Sequence, residues 1–437
     1  MKRFLFLDNY RGFSNQIVPL LDVNFMVGEN STGKTSLLKM MKMMSTPELL
    51  LGASAFGRPA EVMFGHFNEM ASIHSEDRSY FRLGSIDEFP DSPRPKNMPW
   101  ARALLITYKE KDGMPKVSQV TFAQSQVEVS LRFEDDKVLV KISEQDQAAT
   151  IESLRLSFDR WIVEHSTNSS GWQDLQMPKG FPSGPIPIYM ALHYASATSA
   201  KMGPMFFGED SQFVSIAPIR TQPRRTYDEP NTPFSSEGDH TPYVIRRLST
   251  SPDSDRFSAF MKQVGKSSGL FETVDIRRHG SSSDAPFEVD AFLDGKAVNL
   301  SWMGYGVSQS LPILVELFDR KGDCTFAIQQ PEVHLHPRAQ AALGDLFFEV
   351  AARGQKRLII ETHSDFMIDR FRRNYRQNAK KKKGTQLPQS QVLFFERKDS
   401  RNTVTPLEIS REGNLPPDQP RGYREFFVKE ETSLLEL

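Results

Sequence analysis

Gly28, Gly33, Lys34 and Thr35 follow the spacing Gly-x-x-x-x-Gly-Lys-Thr. That grouping suits one task, the holding of phosphate. Glycines let backbone N–H groups face an anion, the lysine reaches the terminal phosphates, and the threonine hydroxyl can ligate magnesium. Glu29, Asn30, Ser31 and Thr32 fill the loop, and Ser36 follows it. The expected ligands are ATP and Mg2+. Farther along, polar residues recur in three groups: Gly304 to Gln309, Gln329 to His336, and Glu361 to Asp365. Each is placed by an apolar neighbour that the sequence predicts as a strand or a helix.

The elements around the loop have the required order. Residues 21–27 (LDVNFMV) are predicted as a buried strand, and SLLKMMKMM after the loop as a helix. Strand, Gly-rich loop and helix in sequence are the context that a phosphate loop needs. DCTFAI and KRLIIE are short apolar strands, with QQPE after one and THSD after the other. Polar residues at the carboxyl ends of parallel strands line the crevice where such folds bind ligands. SQSLPILVELF and PRAQAALGDLFFEVAAR have helical spacing. Residues 101–142 instead alternate over short runs and predict an antiparallel meander, and residues 147–165 predict a helix.

The predicted fold class is α/β: a P-loop NTPase head with a mixed parallel sheet, an antiparallel β lobe and a helical and loop insertion. The expected division is a core of residues 1–70 and 290–437 with residues 71–289 inserted. Length bounds the chain to two or three domains. A net charge of −1 gives no global attraction to nucleic acid, so such a surface would be local. Cys324 is the one cysteine, which excludes an intramolecular disulfide. No run approaches the roughly 18 apolar residues of a membrane span. The expectation is a cytoplasmic protein with no membrane partner.

Three segments resemble a known group. NLSWMGYGVSQSLPIL (299–314) is similar to the signature loop of ABC-type heads of the SMC and OLD kind. DCTFAIQQPEVHLHPRAQ (323–340) resembles their Walker B region, and RLIIETHSDFMIDRFR (357–372) their switch-histidine loop. NYRGF (9–13), SIAPIRTQPRR (215–225) and PRGYREFF (420–427) are similar to the same group. The PEVHLHP run and the chain length resemble stand-alone ATPases of bacterial anti-phage systems such as Septu, PARIS and certain retrons.

The resemblance implies roles. Two heads would sandwich ATP, with Ser308 and Gln309 of the signature loop meeting the nucleotide of the other copy. His363 would sense the γ-phosphate; a histidine hydrogen-bonded in the core is the rival reading. Thr35 and Gln329 would face the metal, and Gln330 would stand where the family places a water-activating Glu. Both Walker B positions are therefore amides. An amide oxygen can orient a water but cannot take its proton. Hydrolysis is expected to be slow unless Glu332 substitutes. Glu332, His334 and His336 could alternatively ligate a metal.

Arg220, Arg224 and Arg225 could meet phosphates or stand solvated. Arg370 to Lys383 holds eight cations in fourteen residues, a local field that suits nucleic acid, an acidic partner or an ordinary exposed helix end. The implied function is a regulatory ATPase that controls a separate nuclease or toxin effector in anti-phage defence. A RecF- or SMC-like DNA-repair head is the alternative, and gene neighbours would separate the two.

Overall fold

The computed structural model describes residues 2–45, 66–88, 101–124, 126–134, 137–144, 150–166, 171–175, 212–228, 232–282, 285–354, 356–379, 387–420 and 422–423. The chain divides into two compact units. The first holds residues 1–21, 29–209 and 395–406, and the second holds 22–28, 210–394 and 407–437. These bounds differ from a division at residues 70 and 290. Residues 210–289 group with the parallel strands, and the N-terminal strands group with the meander.

The first unit is built on an eight-stranded sheet of order β2-β1-β4-β5-β6-β7-β8-β9. Its strands are β1 (Lys2–Asp8), β2 (Gln16–Leu20), β4 (Tyr80–Glu88), β5 (Ala101–Lys111), β6 (Met114–Gln124), β7 (Val127–Phe133), β8 (Val138–Glu144) and β9 (Gln173–Leu175). Neighbours are antiparallel throughout. The meander predicted over 101–142 is thus half of a larger sheet that β1, β2, β4 and β9 complete. Helix α1 (Lys34–Met44) follows the phosphate loop, and α2 (Ile151–Ser166) lies on the sheet. Phe158 and Trp161 of α2 are buried with Phe6, and the Phe6 and Phe158 rings meet edge to face at 5.3 Å. Gly84 makes room for Phe158, because a Cβ there would stand 2.9 Å from its ring and 2.6 Å from the Leu104 carbonyl.

The second unit contains the parallel strands β10 (Gln212–Ile216), β14 (Cys324–Gln329), β15 (Lys356–Glu361) and β3 (Val23–Gly28), paired in that order. The sheet continues to β16 (Ser390–Lys398) and β17 (Arg401–Glu408), which belong partly to each unit. A small antiparallel sheet joins β11 (Val274–Arg278), β12 (Phe287–Leu293) and β13 (Lys296–Asn299). The helices are α3 (Thr241–Ser249), α4 (Ser254–Ser268), α5 (Tyr305–Asp319), α6 (Pro337–Ala352) and α7 (Asp365–Ala379). Parallel strands covered by helices read as continuous apolar runs, and Phe326 to Ile328, Leu358 to Ile360 and Phe25 to Val27 are all buried. Phe371 of α7 packs its ring on Phe25 at 5.0 Å and on Phe348 at 5.4 Å. Helices α6 and α7 touch at Gly344, where a Cβ would fall 2.3 Å from the Met367 carbonyl. Among the described residues, no helix is long and apolar enough to cross a membrane. The α/β class with a parallel sheet and a separate antiparallel sheet is the predicted one.

Candidate functional site

In the first unit the phosphate loop is closed on itself. Ser31 and Gly33 have φ of 63° and 100°, the left-handed region that turns successive N–H groups toward one concave side. Lys34 Nζ and Thr32 Oγ1 both donate to the Glu29 carbonyl, each at 2.7 Å. Gly33 has two reasons to be glycine. Its φ is positive, and a Cβ would fall 2.4 Å from the Phe13 ring. Helix α1 starts at Lys34 with no acidic residue in its first turn. Its unpaired N–H groups and positive end therefore stand at the loop. Thr35 is exposed at this end, while Glu29, Asn30 and Ser31 form the exposed rim. Ser36 is half-buried.

In the second unit the strand ends are level. Gln329 of β14 pairs with Glu361 of β15, and Glu361 with Met26 of β3, two residues before Gly28. Past Gln329 the backbone turns sharply: Gln330 has φ 43° and His334 φ 64°. Gln330 N–H donates to the Glu361 carbonyl at 2.8 Å, which fixes this turn against the neighbouring strand. The Gln330 side chain has no polar partner among the described residues and can orient a water.

Glu332 reaches across to the loop after β15. Its Oε1 accepts the His363 backbone N–H at 2.7 Å, and its Oε2 is buried without a partner. One oxygen thus holds the switch loop while the other remains an open acceptor. The His363 ring is exposed, and no hydrogen bond to it is formed among the described residues. The core reading of His363 is thereby removed. Asp365 begins α7, and burial together with the nearby Asp369 charge raises its carboxyl to about 6.

The signature segment opens at Gly304 and becomes α5. Gly306 lets this turn approach the loop after β14, since a Cβ would meet the His334 carbonyl at 2.9 Å. Ser308 is only 7% exposed and donates to the Tyr305 carbonyl at 3.1 Å. Gln309 uses both ends of its amide on the backbone of Arg220: Oε1 accepts from Arg220 N–H at 3.1 Å, and Nε2 donates to the Arg220 carbonyl at 3.0 Å. Its observed task is positioning.

Arg220 is the residue whose place sequence reasoning missed. It neither meets solvent nor points outward; it is 3% exposed. Its guanidinium donates to the carbonyls of Gln309 at 3.1 Å and Gln329 at 2.8 Å, tying the signature helix to the end of β14. Burial lowers its pKa to about 10, with the Glu332 charge acting in the opposite sense, so it stays charged at neutral pH. Arg224 and Arg225 are exposed, and Arg225 lies 5.8 Å from the centre of the Trp302 ring.

The alternative metal ligands diverge. The His334 ring packs at a tilt against Tyr305, their centres 5.4 Å apart, and His336 Nδ1 accepts the Arg338 N–H as the cap of α6. Among the described residues no group of three or more His, Cys, Asp and Glu could hold a metal. In the basic stretch, Arg370 pairs with Asp345, Arg372 with Asp369, and Arg376 with the Glu412 carbonyl and Asn414. Most of its described charge is therefore committed internally, and Lys380 to Lys383 lie outside the described residues.

Residues 239–368 match the family model of an AAA ATPase domain. The match takes in the signature segment, the end of β14 and the switch loop. The phosphate loop lies outside it and stands on its own motif and geometry. No curated protein matches the chain. Among solved structures, the chain is similar to an Smc head bound to the C-winged helix domain of ScpA, at 12% identity and TM-score 0.42 over 93% of this chain and 98% of that one. The SMC head domain from Thermotoga maritima gives 11% and 0.37 over 93% and 99%. An Smc head with an extended coiled coil from Pyrococcus furiosus, bound to the C-terminal domain of ScpA, gives 11% and 0.41 over 99% and 100%.

Proposed function

We propose that this chain is an ATP-binding switch of the ABC type that hydrolyses slowly and governs a separate effector. The observation that carries it is the pair of amides at the end of β14, Gln329 and Gln330, at positions where the resemblance implies a metal-binding and a water-activating acid. The loop from Gly28 to Ser36 would hold the phosphates through backbone N–H groups and Lys34. Thr35 would offer Mg2+ a hydroxyl oxygen and Gln329 would offer an amide oxygen, the hard ligand chemistry that ion takes. When bound, that ion would neutralise phosphate charge. Gln330 orients a water without accepting its proton. Glu332, with one buried oxygen open, is the residue that can take the proton at a low rate. Exposed His363 reports on the terminal phosphate through its side chain, and Glu332 keeps its backbone in place.

The output is proposed to be self-association of heads around ATP, passed to a nuclease or toxin in anti-phage defence. Support comes from the signature and PEVHLHP segments, and from Trp302 and Tyr305, large aromatics left exposed beside the signature turn. The test is ATP binding and phosphate release by the purified chain, alone and with its neighbouring gene product, for wild type and Lys34→Ala. Tight binding with little release, lost in the variant, is expected. Fast turnover by the wild type would overturn the switch.

A further inference from the structure

Glu361 ends β15 with 6% of its surface exposed. Its side chain has one polar partner among the described residues: Gln329 Nε2 donates to Oε2 at 3.0 Å. No lysine, arginine or histidine among them neutralises it. Buried carboxylates are paired with cations or held by several donors, because burial of the bare charge is costly. One amide donor does not meet that need.

The position of Glu361 gives the lack a meaning. It is level with Gln329 on one side and with Met26 on the other, and Gly28 follows two residues after Met26. The carboxylate thus stands between the strand that should carry the metal-binding acid and the strand that feeds the phosphate loop. We propose that Glu361 is the metal-site carboxylate of this chain, with the negative charge absent from β14 supplied one strand over at the same level of the sheet. Magnesium in nucleotide sites is held through one or two carboxylates together with phosphate oxygens, so a single carboxylate suffices. Gln329 turns its amide nitrogen to Glu361, which leaves Oε1 as its remaining acceptor. The two side chains form one unit, an anion positioned by a neutral neighbour. This inference rests on the ATP-binding reading.

The test uses Mn2+ as the probe, with free ion read by electron paramagnetic resonance in the presence of a non-hydrolysable ATP analogue. Nucleotide affinity in EDTA is measured alongside. Glu361→Gln is expected to weaken Mn2+ binding about tenfold or more and to leave the metal-free nucleotide affinity within about twofold. Moving the carboxylate back, as Gln329→Glu with Glu361→Gln, should restore most of the Mn2+ affinity. Undiminished Mn2+ binding by Glu361→Gln overturns the proposal while the ATP-binding reading stands. Absence of nucleotide binding by the wild type overturns both. Should Glu361→Gln fail to fold, Glu361→Asp decides. Drawing the carboxylate back by one methylene weakens Mn2+ binding if Glu361 faces the metal, and undiminished affinity overturns the proposal.

Discussion

The loop from Gly28 to Ser36 and the strand end from Gln329 to Glu332 approach nucleotide chemistry with different materials. The loop offers mainly backbone: positive φ at Ser31 and Gly33, the N-terminal end of α1, and one cationic side chain, Lys34. The strand end works through side chains, and two of those are amides where acids are expected. Backbone cradles tolerate substitution because most side chains present the same N–H group. A general base has no such tolerance, since replacing a carboxylate by an amide removes the proton acceptor while preserving shape. On the proposed reading, binding and turnover are therefore separable, and each is open to alteration without the other.

The largest expected effect falls on the loop. Lys34→Ala removes the charged contact to the phosphates and should weaken ATP binding by about a thousandfold, read by titration with a fluorescent nucleotide. Next is the strand end. Gln330→Glu returns a proton acceptor and should raise phosphate release by about a hundredfold, the lower end for a general base, with ATP affinity unchanged. An unaltered rate would mean that Glu332 already carries the proton. Arg220→Met leaves the carbonyls of Gln309 and Gln329 without their donor. It should cost about 2 kcal/mol of stability in urea unfolding, a loss confined to the signature and strand-end side, with loop affinity retained.

The smallest effect is in pH. The folded-state pKa of Asp365 is raised to about 6 from 3.8. The native state therefore holds the proton more tightly than the unfolded chain between these values, and this group's contribution to stability falls as pH rises from about 4 to about 6. Because the side chain is only half-buried, solvent screening reduces the effect to about 1 kcal/mol. Asp365→Asn should flatten that part of the stability profile and gain about that much at neutral pH.

The loop with its strand and helix was legible in the sequence because its determinants are local: glycines at fixed offsets between an apolar run and an amphipathic one. Strands β14 and β15 were legible for the same reason, as apolar runs ending in polar residues. Strand β10 was not. QFVSI is too short to separate from its proline-rich surroundings, and its pairing with β14 joins residues more than a hundred positions apart. Helices α3 and α4 were missed where polar residues outnumber their buried apolar positions. Arg220 looked like a surface cation, since nothing local shows that its acceptors are carbonyls 89 and 109 residues away. Glu361 was only one polar residue of the group Glu361 to Asp365 until the register placed it beside Gln329.

The Arg220 clasp has a mechanical consequence. With Gln309 gripping its backbone on both sides and its own guanidinium gripping two carbonyls, the start of the signature helix and the tip of β14 form one stiff lever. A tug on the helix from outside moves the Gln329 carbonyl with it.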